Sequence, residues 1–157
     1  MKLTRIGNYR IVKILGKGAF GTVYKAIDIN NNDLQVAVKV SHRKRLEEGG
    51  GLTALEAECV QLDALDHANI VRFKHLIIEE EFVGIVLEYL EGQDLRSLIK
   101  TKGKLDIVDV YKYGQGLING LAYAHKSGLI HRDIKPSNIF ICNDGRVKIL
   151  DFGIAKT

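Results

Sequence analysis

His131-Arg132-Asp133-Ile134-Lys135-Pro136-Ser137-Asn138, followed by Asp151-Phe152-Gly153, decides how the rest of the chain is read. The 19 residues from Asp133 to Asp151 hold a candidate base, a lysine, an amide and a carboxylate able to bind a metal. Asp133 can accept a hydroxyl proton or orient a nucleophile. Lys135 can neutralise a phosphoryl group in transfer. Asn138 and Asp151 offer oxygen donors suited to a hard cation such as Mg²⁺. A polar turn would account for any one of these residues. It accounts poorly for all four together with the features upstream.

Upstream, Gly16-x-Gly18-x-x-Gly21-x-Val23 is a glycine loop. Glycines let backbone N–H groups approach phosphate oxygens without a Cβ in the way. The residues after Gly21 read as a strand, so the loop suits a hairpin over a nucleotide rather than the entrance to a Rossmann helix. The loop has no Gly-Lys-Ser/Thr ending, which excludes a Walker-type loop. Val36-Ala37-Val38-Lys39 places a lysine at the end of an apolar strand, where it reads either as a snorkelling surface residue or as a cation for the α- and β-phosphates. Two carboxylates that could hold it, Glu56 and Glu58, follow on the next helix.

Working outward, Tyr9–Leu15 and Thr22–Ile29 read as a hairpin, with a turn at Asn30–Asp33 and a third strand at Leu34–Val40. Gly49-Gly50-Gly51 is a break. Leu52, Leu55, Cys59, Leu62 and Leu65 recur at helical spacing. Ile70–Ile78 and Phe82–Leu87 are two more strands around the acidic turn Glu79–Glu81. These five strands and one helix form a small α+β unit. A boundary falls at Leu90–Gln93. Beyond it, Asp94–Thr101 is a short helix capped by Asp94. Asp106–His125 is a long helix with apolar positions at Val110, Tyr113, Leu117, Leu121 and Ala124. Its glycines at 114, 116 and 120 each lower helix propensity by about 1 kcal/mol, which close packing against a neighbour would offset. Strands Ile139–Cys142 and Val147–Leu150 close the pattern through an Asn143-Asp144-Gly145 turn.

The bulk properties exclude other classes. The chain has 157 residues, 46% of them hydrophobic, and a formal charge of +4. Such a length is one domain, or one lobe with part of a second. No apolar run approaches a membrane span, and the first residues lack the apolar core of a secretory signal. Cys59 and Cys142 read as inert core thiols in a reducing, cytoplasmic compartment. The basic run His42–Arg45 is followed at once by Glu47-Glu48 and reads as a solvated loop, so nucleic acid is not an expected partner.

Taken together, Gly16–Val23, Val36–Lys39, His131–Asn138 and Asp151–Gly153 resemble, in order and context, the signature set of the eukaryotic-type protein kinase family. The resemblance runs from Tyr9 to Lys156. Lysine at 135, two positions after Asp133, is similar to the serine/threonine branch. The implied fold is α+β and protein-kinase-like. Residues 1–89 would be the N-terminal lobe, a five-stranded antiparallel sheet with one helix, and 90–93 the hinge. Residues 94–157 would be the first part of a helical C-terminal lobe.

The resemblance implies ATP with Mg²⁺, or Mn²⁺, and a protein substrate. Lys39 would pair with Glu58, whose spacing to His67-Ala68-Asn69-Ile70 fits the family better than that of Glu56. Gly16, Gly18 and Gly21 would cover the phosphates. Leu15, Val23 and Ala37 would roof the adenine, and Phe140 would be its floor. Leu87 would be the gatekeeper, the backbones of Glu88 and Leu90 would bond the base, and Asp94 would approach the ribose. Asp133 would be the catalytic base assisted by Lys135, with Asn138 and Asp151 the metal ligands. Leu62, Phe73, His131 and Phe152 match a stack of side chains that the family builds across its lobes. Arg132 before Asp133 implies control by a phosphorylated segment.

The chain stops at Thr157, before the family's peptide-binding segment and its later helices. The resemblance therefore implies a truncated domain with impaired activity. Uncovered apolar surface on Asp106–His125 would favour oligomerisation or chaperone contact. Two alternatives stand beside a serine/threonine kinase: a non-catalytic ATP-binding or interaction protein derived from a kinase domain, and a small-molecule phosphotransferase of similar fold.

Overall fold

The computed structural model describes residues 3–18, 21–48 and 51–152. Ala19, Phe20, Gly49, Gly50 and the chain from Gly153 onward lie outside the described residues. The chain forms two compact units. The first takes residues up to Asp63 and returns for Phe73–Tyr89; the second takes Ala64–Arg72 and the chain from Leu90.

The first unit is an antiparallel sheet built from β1 (Arg5–Ile6), β2 (Tyr9–Gly18), β3 (Gly21–Asp28), β4 (Leu34–His42), β5 (Phe73–Ile78) and β6 (Phe82–Glu88). Their order is β1-β2-β3-β4-β6-β5. The five expected strands are all present, and the two-residue β1 adds a sixth. Alternation drives the assembly: Val36, Val38 and Val40 of β4 are buried, while Ala37 and Lys39 face the other way. The core on the buried face joins Ile6, Tyr9, Ala26, the three β4 valines and Val86. Ile6 is fully buried because Gly84 of β6 leaves room for it. A Cβ at 84 would stand 2.8 Å from Ile6 Cδ1.

Two helices complete this unit, α1 (Arg43–Glu47) and α2 (Gly51–Asp63). The basic run expected as a loop is therefore a helical turn. Arg43 Nε donates to Glu47 Oε1 at 2.6 Å, one turn on, and this pairing stabilises a helix the charge pattern alone did not suggest. Leu55, Cys59 and Leu62 form the buried stripe of α2.

The second unit contains β7 (Gly92–Asp94), α3 (Leu95–Lys102), α4 (Ile107–Lys126), a 3₁₀ turn at Pro136–Asn138, β8 (Ile139–Cys142) and β9 (Val147–Ile149). The expected hairpin is β8–β9, and β7 adds an antiparallel third strand on the β8 side. Gly92 permits this pairing. Its φ is +148°, and a Cβ there would run into the Ile141 carbonyl oxygen. Asp94 caps α3 as its position suggests, its Oδ1 accepting from Ser97 N at 2.8 Å. Leu98, Ile139, Ile141 and Val147 form the core, with Tyr113 and Leu117 of α4 packed on it.

Two of the three α4 glycines are close-packing sites. A Cβ at Gly116 would meet Val147 Cβ at 3.0 Å, and one at Gly120 would meet Ile149 Cδ1 at 2.7 Å, whereas Gly114 faces open space. Val110, expected on the buried face, is exposed, as are Ile107, Val108, Tyr111 and Ile118.

Residues 70–72, expected to begin a strand beside β6, instead join β9. Ile70 bridges Ile149 in parallel, Val71 N donates to Ile149 O at 3.0 Å, and Ile149 N donates to Asn69 O at 2.8 Å. Asn69 Nδ2 adds a bond to Val147 O at 2.9 Å. The His67 and Tyr123 rings stack nearby, 4.9 Å apart. Among the described residues no helix is long and apolar enough to cross a membrane.

Candidate active site

In the first unit, strand register places the candidate nucleotide residues. Val23 pairs with Lys39 across β3–β4, and Ala37 pairs with Leu87 across β4–β6. Cross-strand partners point to the same side, so Val23, Ala37, Lys39 and Leu87 share the face opposite the valine core. Lys39 is half-buried there. The glycine loop is the β2–β3 hairpin end, with Gly16 opposite Val23 and Gly18 opposite Gly21.

The three loop glycines differ in what requires them. Gly21 has φ +140°, and a Cβ would strike the Val40 carbonyl oxygen, so the fold itself demands glycine. Among the described residues, a Cβ at Gly16 would meet nothing within 4 Å, and one at Gly18 only Gly21 O at 4.0 Å. Packing among the described residues does not require those two glycines.

On α2, Glu58 is half-buried beside the Leu55–Cys59–Leu62 stripe, whereas Glu56 is exposed. Neither Lys39 nor Glu58 is an isolated charge. The buried Cys59 thiol, next to Glu58 in the chain, is pushed up to about 11, by burial first and then by Glu58 and Glu56. Leu62 and Phe73 are buried in this unit. Leu15 is exposed. Glu88 ends β6 opposite Val36, and Tyr89 follows with Lys25 Nζ 4.3 Å above its ring centroid.

In the second unit, irregular backbone held by side chains does the positioning. His131 is buried and takes two bonds that define its protonation. Its Nε2 lies 2.6 Å from Leu150 O, and Asp133 N donates to its Nδ1 at 3.2 Å. A carbonyl can only accept and an amide only donate, so the ring is the neutral Nε2–H tautomer. The ring also meets Phe152 edge-on, with centroids 4.6 Å apart. One imidazole thereby ties Asp133 to the residues flanking Asp151.

Asn138 is buried, and its Nδ2 donates to Asp133 O at 2.9 Å and to Oδ2 at 3.3 Å. With the amide nitrogen held by Asp133, the oxygen Oδ1 is turned the other way. Lys135 Nζ pairs with Asp133 Oδ2 at 2.9 Å from a half-exposed position. Leu150 N donates to Asn138 O at 2.9 Å, linking the loop to the residue before Asp151. Arg132 and Asp151 both have left-handed backbones, with φ of +65° and +52°. That conformation costs a non-glycine residue about 1–3 kcal/mol and persists where the surroundings enforce it.

The unforeseen β7 brings two further candidates together. Asp94 is the cross-strand partner of Phe140, whose other neighbour is Lys148. Sequence reasoning also missed Lys25 over Tyr89 and the hub role of His131. Lys25 lies at the same strand parity as Val23, a signal that could have flagged it. The His131 bonds left no signal beyond the motif itself.

The glycine-loop hairpin, the lysine strand, the Asp133–Asn138 loop and the Asp151 turn thus follow one another along the chain. The chain belongs to the protein kinase family: the model of the protein kinase domain matches residues 9–157. It is similar to cell division control protein 7 of Schizosaccharomyces pombe, 40% identical over 141 residues, covering 90% of this chain and 13% of that protein. It is similar also to the serine/threonine-protein kinase PrkC of Bacillus subtilis, 35% identical over 149 residues, covering 95% of this chain and 23% of that protein. The cytokinesis protein sepH of Aspergillus terreus is 38% identical over 153 residues, 98% of this chain and 11% of that protein. The chain thus spans less than a quarter of the length of these relatives.

Proposed function

We propose that this chain carries the ATP site and catalytic residues of a protein serine/threonine kinase that transfers the γ-phosphate of ATP to a protein hydroxyl. The carrying observation is the Asp133 cluster: its carboxylate takes Lys135 and Asn138, and its amide takes His131. In this reading Asp133 would receive or align the acceptor hydroxyl, and Lys135 beside it would balance charge on the phosphoryl group.

In the first unit, Gly16, Gly18 and Gly21 would cover the phosphates, and Lys39, held by Glu58, would bind them. Leu15, Val23, Ala37 and Leu87 would contact the adenine, with the Glu88 backbone at its edge. The second unit would supply Leu90, Asp94 toward the ribose and Phe140 beneath the base. In domain terms, residues 1–89 are then the N-terminal lobe, 90–93 the hinge and 94–157 part of the C-terminal lobe.

Asn138 and Asp151 fit Mg²⁺, or Mn²⁺. One offers an amide oxygen turned away by its bond to Asp133, the other a carboxylate, and both are hard donors. Among the described residues no group of three His, Cys, Asp or Glu could hold a metal. Such an ion would take the rest of its shell from phosphate and water, as Mg²⁺ commonly does. When bound it would offset phosphate charge.

A cytoplasmic setting suits Cys59 and Cys142, both buried cysteines. Residues 1–157 alone should transfer phosphate to protein poorly, because catalysis requires the acceptor hydroxyl to be held in line beside Asp133. The exposed Ile107, Val108, Tyr111 and Ile118 of α4 should favour self-association or chaperone capture of this chain on its own.

Calorimetry of ATP binding tests the reading. The chain should bind ATP more tightly with Mg²⁺ than without it, and Asp151→Asn should reduce that difference. Equal affinity with and without Mg²⁺ in the unchanged chain would remove Asn138 and Asp151 as ligands. Absence of ATP binding would overturn the proposal.

A further inference from the structure

Lys25 sits on β3 two residues after Val23, and its cross-strand partners are Lys13 on β2 and Ala37 on β4. It therefore shares the face of Val23, Ala37 and Leu87. Ala37 is small enough for a long side chain to cross β4 above it. The Lys25 side chain is directed to the far side of that strand, where its Nζ lies 4.3 Å from the centroid of the Tyr89 ring. This arrangement moves its charge away from Lys13, since like charges directly opposite one another repel.

Tyr89 is where positioning by the sheet ends. The last rung of the β4–β6 ladder is Val36 with Glu88, one residue earlier. The backbone that would read the nucleobase, Glu88 to Leu90, thus leaves the ladder just where Lys25 grips the intervening ring. Both partners are half-buried, which strengthens a cation–π contact over an exposed one.

We infer that Lys25 is a positioning residue for the nucleobase: through the Tyr89 ring it holds the 88–90 backbone in its binding geometry. The inference rests on the function proposed above. It makes Lys25 a determinant of base affinity, although a lysine on this face would otherwise be assigned to the phosphates.

Calorimetry with ATP and with adenosine separates these roles. Lys25→Met keeps the stem and removes the charge. It should weaken both ligands by about three- to tenfold, while Lys25→Arg, which retains the stack, should bind nearly as the unchanged chain does. Tyr89→Leu should give a similar loss, and adding Lys25→Met to it should cost little more. Unaltered binding in Lys25→Met overturns the inference and leaves the proposed function standing. A loss seen with ATP but not with adenosine also overturns it, because Lys25 would then be a phosphate contact. Failure of the unchanged chain to bind ATP overturns the proposed function, and this inference with it.

Discussion

The two units place their chemistry by different physical means. In the first, Val23, Ala37, Lys39 and Leu87 are aligned by ladder register alone, and the buried valines of β4 lock that register from the opposite face. A slip of one residue would send Lys39 into the core, so hydrophobic burial itself enforces the site. In the second, Asp133, Asn138 and Asp151 lie in non-repetitive backbone. They are held by His131, by the Asn138 amide and by two left-handed residues. Register is cheap to specify and tolerant of side-chain change. A loop built on side chain–backbone bonds is neither, since each lost partner leaves a desolvated polar group. The first unit should therefore absorb substitutions that the second cannot.

Paired glycine substitutions give the largest expected contrast. In Gly92→Ala the new Cβ meets backbone, the Ile141 carbonyl and Cys142 Cα at 2.9 Å, at a φ of +148°. Neither neighbour can move without breaking β7–β8, so the loss should be about 3 kcal/mol or more. In Gly84→Ala the obstacles are side chains: Ile6 Cδ1 at 2.8 Å, the end of a side chain that can change rotamer, and Val38 Cγ1 at 3.2 Å. About 1–2 kcal/mol should suffice there. Hydrogen exchange read separately over 139–149 and over β4–β6 measures both. Similar losses of protection from the two variants would break the contrast.

A hundredfold effect is expected at Cys59, where the first unit's burial acts on a reactive group. Its thiol is raised from 9.0 to about 11, chiefly by desolvation. A rise of that size leaves about a hundredfold less thiolate at pH 8, so alkylation of the folded chain should be slower than that of a free thiol by at least this factor. The linkage has a definite sign. The folded state holds the proton more tightly, so the contribution is complete below pH 9 and is lost as pH rises through about 11. Mass spectrometry of iodoacetamide-treated chain, folded and in denaturant, checks it. Equal rates in the two states would show that α2 does not seal Cys59.

How much was legible in the sequence follows the same division. Alternation in Val36–Val40 and helical spacing from Leu55 to Leu62 announced the first unit, because burial of one face leaves a periodic trace. The 131–138 loop leaves none. Asp133, Asn138 and Asp151 stand out through their motif chemistry alone, and nothing in their spacing discloses the His131 bonds or the φ of Arg132. The turn of Ile70 to β9 was hidden for another reason. Ile70, Val71 and Phe73 are apolar enough for a strand anywhere, and which edge they join depends on Asn69 and Ile149 meeting across 80 residues of chain. β7 was missed because Gly92-Gln93-Asp94 has almost no strand propensity; pairing with β8 overrides it.

The smallest effect tests a place in the first unit that works like the second. Helix α1 is joined to the β5–β6 turn by Arg43. Its backbone N donates to Glu81 O at 2.9 Å, its Nη1 to Glu79 O at 3.3 Å, and its Nε to Glu47. Glu47→Ala removes only an exposed ion pair one helical turn long, and should cost about 0.3–0.5 kcal/mol. Arg43→Ala removes that pair and also the side-chain donor to a part-buried carbonyl, for about 1 kcal/mol in all. Salt separates the two terms. At 1 M the screening length falls to about 3 Å, so the Glu47 effect should fade while most of the additional Arg43 loss persists. Denaturant melts of both variants at low and high salt provide the measurement. If Arg43→Ala and Glu47→Ala cost the same and fade together, the bond to Glu79 O contributes nothing, and α1 is positioned by its neighbours in the sheet like the rest of the unit.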